Sequence, residues 1–274
     1  MQYKRFSVAA LVLALVSMSG CATDTVGVSR LLKLYPTNTL SVLTLLPDVA
    51  TVVVDHGATS KDPLRLVPAT SWGVNPAARR SVLNALEKQS RFRVRGSLPP
   101  GVQQWLSGAT VREGIALNPK TLARIRKPVS EMRTNLVLVL APGMIFAKGV
   151  YTMGSMSAIF GPVVGYLASG GVRPEGLGYG VVQTEFLDTR SAVNTVVLKA
   201  WVLDREEGTV IAKTSCVARS TRLNGVGKTN PKVKALWIHR KGAIAPANLA
   251  YTKTEILKLT QKAVGCVLHA LKLS

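Results

Sequence analysis

Acidic residues are scarce in this chain. Only 14 Asp and Glu stand against 35 Lys and Arg, giving a formal net charge of +21. So basic a balance implies anionic neighbours. Histidine and cysteine are equally scarce, with three of each. His56, His239 and His269 lie far apart and no Cys-x-x-Cys pair occurs, so no zinc-binding spacing is present and no metal is expected. Catalytic signatures are missing as well. The nearest approach to a nucleophile elbow, Gly154-Ser155-Met156-Ser157-Ala158, has Met156 where the serine must stand and Ala158 in place of the final glycine, and neither His-Glu-x-x-His nor Ser-x-x-Lys occurs. Asn224-Gly225-Val226-Gly227-Lys228-Thr229 has the tail of a phosphate loop, but Arg222 stands where the first glycine must be, so it reads as a solvated turn. Asp55-His56, at the end of an apolar strand, reads as a loop start with a surface histidine. These absences point to a protein that is not an enzyme and needs no cofactor.

What is present begins at residue 1. Lys4 and Arg5 precede Val8–Val16, a run built only from Val, Ala and Leu. A short basic stretch before a short apolar one is the layout of a secretory leader. Spanning a bilayer takes about 20 apolar residues, more than this run supplies. The segment closes on Met18-Ser19-Gly20-Cys21, which resembles the lipobox of bacterial lipoproteins. That resemblance implies cleavage after Gly20, a diacylglyceryl group on the Cys21 thiol and a further acyl chain (a palmitate-type anchor) on the new amino terminus. One acyl chain holds a protein only marginally, and two or three hold it firmly. Ala22 in place of Asp favours the outer membrane by the sorting habit of that family, with the domain in the periplasm.

Residues 1–20 are then the leader, 21–48 a tether with a Leu-rich docking segment, and 49–274 a single domain with a Gly-rich apolar insertion at about 142–180. Without the leader's two cations the mature chain keeps 33 Lys and Arg against 14 acids, a net +19. Export makes nucleic acid an unlikely counterpart; lipid phosphates and peptidoglycan peptides are the anions at hand.

Periodicity outlines the domain. Residues 51–55, 91–95 and 136–140 read as strands, with a helix opened by Asn75-Pro76 between the first two. Asn118-Pro119 opens a second helical stretch to about Arg133. Three antiparallel strands follow over 181–188, 193–204 and 208–222, and a helix from about Thr252 closes the chain, with Thr252 and Glu255 as a capping box. The expected class is α/β: a mixed sheet flanked by helices, with an antiparallel meander and a C-terminal packing helix. Strand alternation turns Cys216 inward, and Cys266 lies on the helix's apolar stripe. In an oxidising compartment the pair reads either as a disulfide or as two small buried hydrophobes.

Two features suggest partners. Arg91, Arg93 and Arg95 alternate on a strand, and Arg79, Arg80 and Lys88 sit on the preceding helix; together they form either an anion-binding face or a solvated one. Residues 149–172 carry no charge. They read as a Gly-rich loop folded over the domain, as an element touching membrane or a partner subunit, or as a spanning helix opposed by Pro162. In architecture the chain is similar to envelope-assembly lipoproteins: the curli secretion lipoprotein, the lipoprotein activators of penicillin-binding proteins and the amino-terminal domain of the Tol-Pal beta protein. That likeness implies an accessory or assembly role with protein or glycan partners. The alternatives are a channel-forming secretion subunit using residues 143–180 and a periplasmic enzyme.

Overall fold

The structure, a computed structural model, describes residues 38–55, 65–88, 92–94, 134–146, 174–186, 189–204, 209–223 and 246–273. The leader, Cys21, Arg91, Arg95, the helix expected over 118–133 and the uncharged segment 149–172 lie outside them.

The described strands are β1 (Asn38–Thr44), β2 (Val49–Asp55), β3 (Arg65–Pro68), β4 (Phe92–Val94), β5 (Leu136–Pro142), β6 (Met144–Phe146), β7 (Pro174–Leu177), β8 (Tyr179–Phe186), β9 (Thr189–Asp204) and β10 (Val210–Leu223). The helices are α1 (Val74–Leu86) and α2 (Pro246–Ala270). Eight strands form one mixed sheet in the order β3-β2-β8-β9-β5-β1-β4, with β10 also on β9. The class is therefore α/β with a mixed sheet, a β8–β9–β10 meander and a C-terminal packing helix.

The sheet is organised by the 16-residue strand β9. Along one edge β9 pairs with β10 over nearly its whole length. Along the other it meets β8 from Thr189 to Val196 and β5 from Leu198 to Asp204. Two half-sheets thus share one backbone: β5-β1-β4 on the second half of β9, and β8-β2-β3 on the first. The parallel pairs are β1–β5, β1–β4 and β2–β8, with β4 at an edge of the sheet. The central strand β5, Leu136–Pro142, is apolar throughout, as a strand buried on both sides must be.

Side-chain alternation gives the sheet two faces. Leu40, Val42, Leu136, Leu138, Leu140, Val196, Leu198, Ala200, Val202, Ala212, Cys216 and Ala218 point to one, where α1 and α2 pack in a single core. Helix α1 offers Val74, Ala78, Val82 and Leu86, four apart and all buried; α2 offers Ile256, Leu259, Ala263, Val267 and Leu271. On the opposite face Leu43, Val137, Val139, Val197, Trp201 and Leu203 are also buried.

Several sequence expectations are corrected here. The tether does not run to residue 48: Asn38–Thr44 is an interior strand between β4 and β5, because Pro36 and Pro47 frame a run whose Leu40, Val42 and Leu43 all find partners. The strand–helix–strand unit is β1–α1–β4, whose strands are parallel neighbours, and not 51–55 with 91–95. Asn75 does not cap α1. Gly73, at φ 68°, holds that position, and Asn75 grips the backbone of Leu46 instead: Nδ2 donates to its carbonyl (2.8 Å) and Oδ1 accepts from its N–H (2.9 Å). Helix α2 begins at Pro246, so Thr252 and Glu255 are interior to it and form no capping box.

Gly265 lies on the exposed side of α2, and a Cβ built there meets nothing within 4 Å. Glycine inside a helix costs about 1 kcal/mol relative to alanine. Gly265→Ala is expected to raise the unfolding free energy by about 0.5–1 kcal/mol, read as a higher urea midpoint at unchanged slope.

Candidate functional site

Three features of the described residues bear on function: a seam in the sheet, a polar pocket under α2, and a cationic helical layer. No cluster of His, Cys, Asp and Glu among the described residues could hold a metal ion, and no helix among them is long and apolar enough to cross a membrane.

The seam lies where β5 gives way to β8 along β9. The Gly143 N–H donates to the Val197 carbonyl (2.8 Å), the Val197 N–H to the Gly178 carbonyl (2.7 Å), and the Gly178 N–H to the Gly143 carbonyl (2.8 Å). Gly178 has φ 76°, and a Cβ there would press on Pro142 and Pro47 at 2.9 and 3.1 Å. A glycine is thus required both by conformation and by space. From this seam β6 and β7 leave as a separate antiparallel ribbon, with Met144 opposite Leu177 and Phe146 opposite Pro174. Ile145 lies against Val182, Val197 and Val217, on the face opposite the helices. The described residues on either side of the uncharged segment, Met144–Phe146 and Pro174–Leu177, are therefore held side by side.

Tyr179 locks the seam. It is 1 % exposed, its hydroxyl donates to the Pro47 carbonyl (2.6 Å), and its ring lies against Trp72 with centroids 6.2 Å apart. Burial first, and the nearby Asp48 carboxylate second, push its phenol well above the ordinary 10.0. A folded-state pKa above the unfolded one means that stability is intact below the unfolded value and is lost as pH rises past it. The domain is expected to lose stability from about pH 10 upward. Tyr179→Phe should flatten that alkaline limb while lowering stability at neutral pH by about 1–3 kcal/mol, since the buried Pro47 carbonyl loses its donor. Denaturant midpoints across the alkaline range check both signs.

The polar pocket sits beneath the first half of α2. Asn194 is fully buried, and neither its Oδ1 nor its Nδ2 has a hydrogen-bond partner. Across the ladder it faces Val181 on β8 and Ser220 on β10. Val181 packs with Ala192 and Tyr251 of α2, and the Ser220 hydroxyl donates to Glu255 Oε2 (3.2 Å). Glu255 Oε1 takes an ion pair from Lys258 (3.2 Å). At the other end of the helix, Cys266 is joined to Cys216 of β10 by a disulfide, with Cα atoms 6.1 Å apart. The covalent tie anchors the second half of α2, whereas the first half combines these polar groups with the apolar contacts of Leu249, Tyr251 and Ile256.

The described cations of the expected anion-binding face, Arg79, Arg80, Lys88 and Arg93, do not converge. Arg80 and Lys88 are exposed on the outer side of the helical layer, while Arg79 is partly buried. Arg93 is opposite Thr39 and exposed on the other face of the sheet, because Phe92 and Val94 take the core side. A cationic surface exists elsewhere, and sequence reading missed it. The exposed side of α2 carries Lys258, Lys262 and His269, and Lys272 stands two residues past its end, with no exposed acid among the described residues of that helix. Together with Arg80 of α1 and Lys88 just past its end, these make the outer surface of the helices basic, with Glu87, the C-cap of α1, the one exposed acid beside them. The signal was legible as the complement of the apolar stripe.

No family model and no curated protein matches the chain. Among solved structures the chain is similar to protein XCC0632 from Xanthomonas campestris, with 10 % identity over 86 % of each chain and a TM-score of 0.36. It is similar also to the LpoB C-terminal domain from Salmonella enterica, with 12 % identity over 71 % of this chain and 93 % of that one, at a TM-score of 0.25. A third similarity is to the PelC dodecamer from Paraburkholderia phytofirmans, with 10 % identity over 93 % of this chain and 97 % of that one, at a TM-score of 0.28.

Proposed function

We propose that this chain is a cell-envelope lipoprotein, lipidated at Cys21, whose domain is a non-enzymatic accessory or assembly factor on the periplasmic side of the outer membrane. One observation carries the reading: Met18-Ser19-Gly20-Cys21 directly follows a basic-then-apolar leader, 16 residues before the first strand of the sheet. The basic balance of the mature chain supports an anionic counterpart in the envelope, such as peptidoglycan or a partner protein with an acidic surface. No catalytic motif stands in the sequence to support an enzyme.

The decisive test is the anchor. Cells carrying Cys21→Ser are expected to lose fatty-acid labelling of the protein, retain the unprocessed form and release the chain from the outer-membrane fraction. Labelling and fractionation identical to the unmodified protein would overturn the reading.

A second reading is a membrane-active subunit that uses residues 143–180. The β6–β7 ribbon favours it, because it pairs the described residues that flank an uncharged stretch of the sequence. Size measurement of the detergent-extracted protein separates the two: a discrete large ring supports the subunit, a monomer removes it.

A further inference from the structure

We propose that the outer surface of the α1–α2 layer is a docking surface for the anionic lipid headgroups of the membrane that holds the anchor. The proposal rests on the lipid anchor proposed above and adds to it which side of the domain faces the bilayer.

The surface is defined by what it exposes. Helix α1 turns Val74, Ala78, Val82 and Leu86 inward, so Arg80, Asn84 and Lys88 face out. Helix α2 buries Ile256, Leu259, Ala263 and Val267, so Lys258, Gln261, Lys262 and His269 face out, and exposed Lys272 follows in the turn past its end. Lys258 to His269 spans about 16 Å of helix at 1.5 Å per residue. Glu255, the acid nearest this ridge on α2, is turned into the domain and engaged by Ser220 and Lys258. Long cationic side chains on a helix can lay their stems along the protein while their heads reach phosphates.

The course of the chain selects headgroups as the anion. Helix α2 runs from Glu255, beside Ser220, to Cys266, bonded to Cys216, and then on toward the β9–β10 turn. Helix α1 likewise runs toward β4, which starts opposite Asn38. Both helices therefore end toward the end of the sheet at which β1 begins, and Lys88 and Lys272 follow at those ends. The 16 residues from Ala22 to Thr37 span about 55 Å fully stretched. The headgroup plane is thus the anionic surface that the anchor keeps within reach at all times. Each cation near an anionic leaflet strengthens such docking several-fold, within a screening length of about 10 Å.

The test uses the mature chain, residues 21–274, carrying Cys21→Ser so that no acyl chain contributes. Sedimentation with vesicles of phosphatidylethanolamine is compared with vesicles in which a quarter of the lipid is phosphatidylglycerol. Binding is expected only to the anionic vesicles and is expected to fade with added salt. Arg80→Glu with Lys262→Glu should weaken it at least tenfold. Arg93→Glu with Lys213→Glu, the same charge change at exposed residues of the opposite face, should leave it within about twofold. Equal losses from both pairs would overturn the proposal, since net charge alone would then explain binding. Absence of sedimentation with either vesicle would overturn it too. So would retention on polygalacturonate without vesicle binding, which would assign the surface to an acidic polysaccharide. Fatty-acid labelling of the unmodified protein in cells reports the anchor separately, so either claim can fail while the other stands.

Discussion

Replacing Cys216 and Cys266 by serine is expected to lower the unfolding free energy by about 4 kcal/mol. The bond closes a loop of 50 residues. Restricting the unfolded chain over that length removes entropy equivalent to about 4 kcal/mol at 25 °C. Cys216 is fully buried in the core, so a hydroxyl there adds a desolvation cost. For a domain of this size the change corresponds to a fall of roughly 10 °C in melting temperature. The check is a pair of urea titrations, of the double variant and of the unmodified protein with and without reductant. The unmodified protein under reductant should approach the variant. A midpoint indifferent to reductant would remove the bond from the account. The loss should also be graded along α2: amide exchange should rise more around Cys266 than it does around Leu86 of α1.

Gly180→Ala should be about as damaging, at roughly 3 kcal/mol or more. A Cβ at this position would fall on the backbone of Thr51, 2.7 Å from its carbonyl carbon and 2.9 Å from its nitrogen, and closer still to its oxygen. Thr51 and Gly180 are register partners in the parallel pair β2–β8. Relief requires the two backbones to separate, which breaks ladder hydrogen bonds on both sides. Overpacked sites with only side chains to move cost typically 1–3 kcal/mol, and a site with only backbone to move lies at or beyond the upper end. A midpoint shift worth under 1 kcal/mol would mean that β2 and β8 are not seated this closely. Gly265→Ala, on the open side of α2, is the matched control with the opposite sign.

Most of the sheet was legible in the sequence, and the reasons are local. Val-rich runs with period-two alternation mark β9 and β10, and Asp204 to Gly208 marks their turn. The inward direction of Cys216 follows from the same alternation. What was not legible depends on pairing across long separations. Nothing local says that Asn38–Thr44 lies between β4 and β5; the leucines of that stretch look alike in a strand and in a docking segment. The seam needs Gly143, Gly178 and Val197 in one place, 54 residues apart at the extremes. Glu255 reads as a cap because capping boxes are defined by spacing, whereas its actual partner, Ser220, comes from a different strand. The anion-binding face was sought on 79–95, where cations cluster in sequence. The described ones fall on two sides, Arg80 and Lys88 outside the helices and Arg93 on the opposite face of the sheet, and a further basic ridge lies on α2.

Strands β5 and β8 lie end to end along β9, as if one strand had been cut and its halves left in place. The graft between them enters and leaves through adjacent glycines whose backbones bond to each other, so its span does not set the geometry of the sheet. At the seam itself, a longer or shorter connection costs loop-closure entropy, about 0.6 kcal/mol for each doubling. The junction can therefore accept inserts of different length between Phe146 and Pro174 while the strands beneath keep their register, much as a socket accepts different tools.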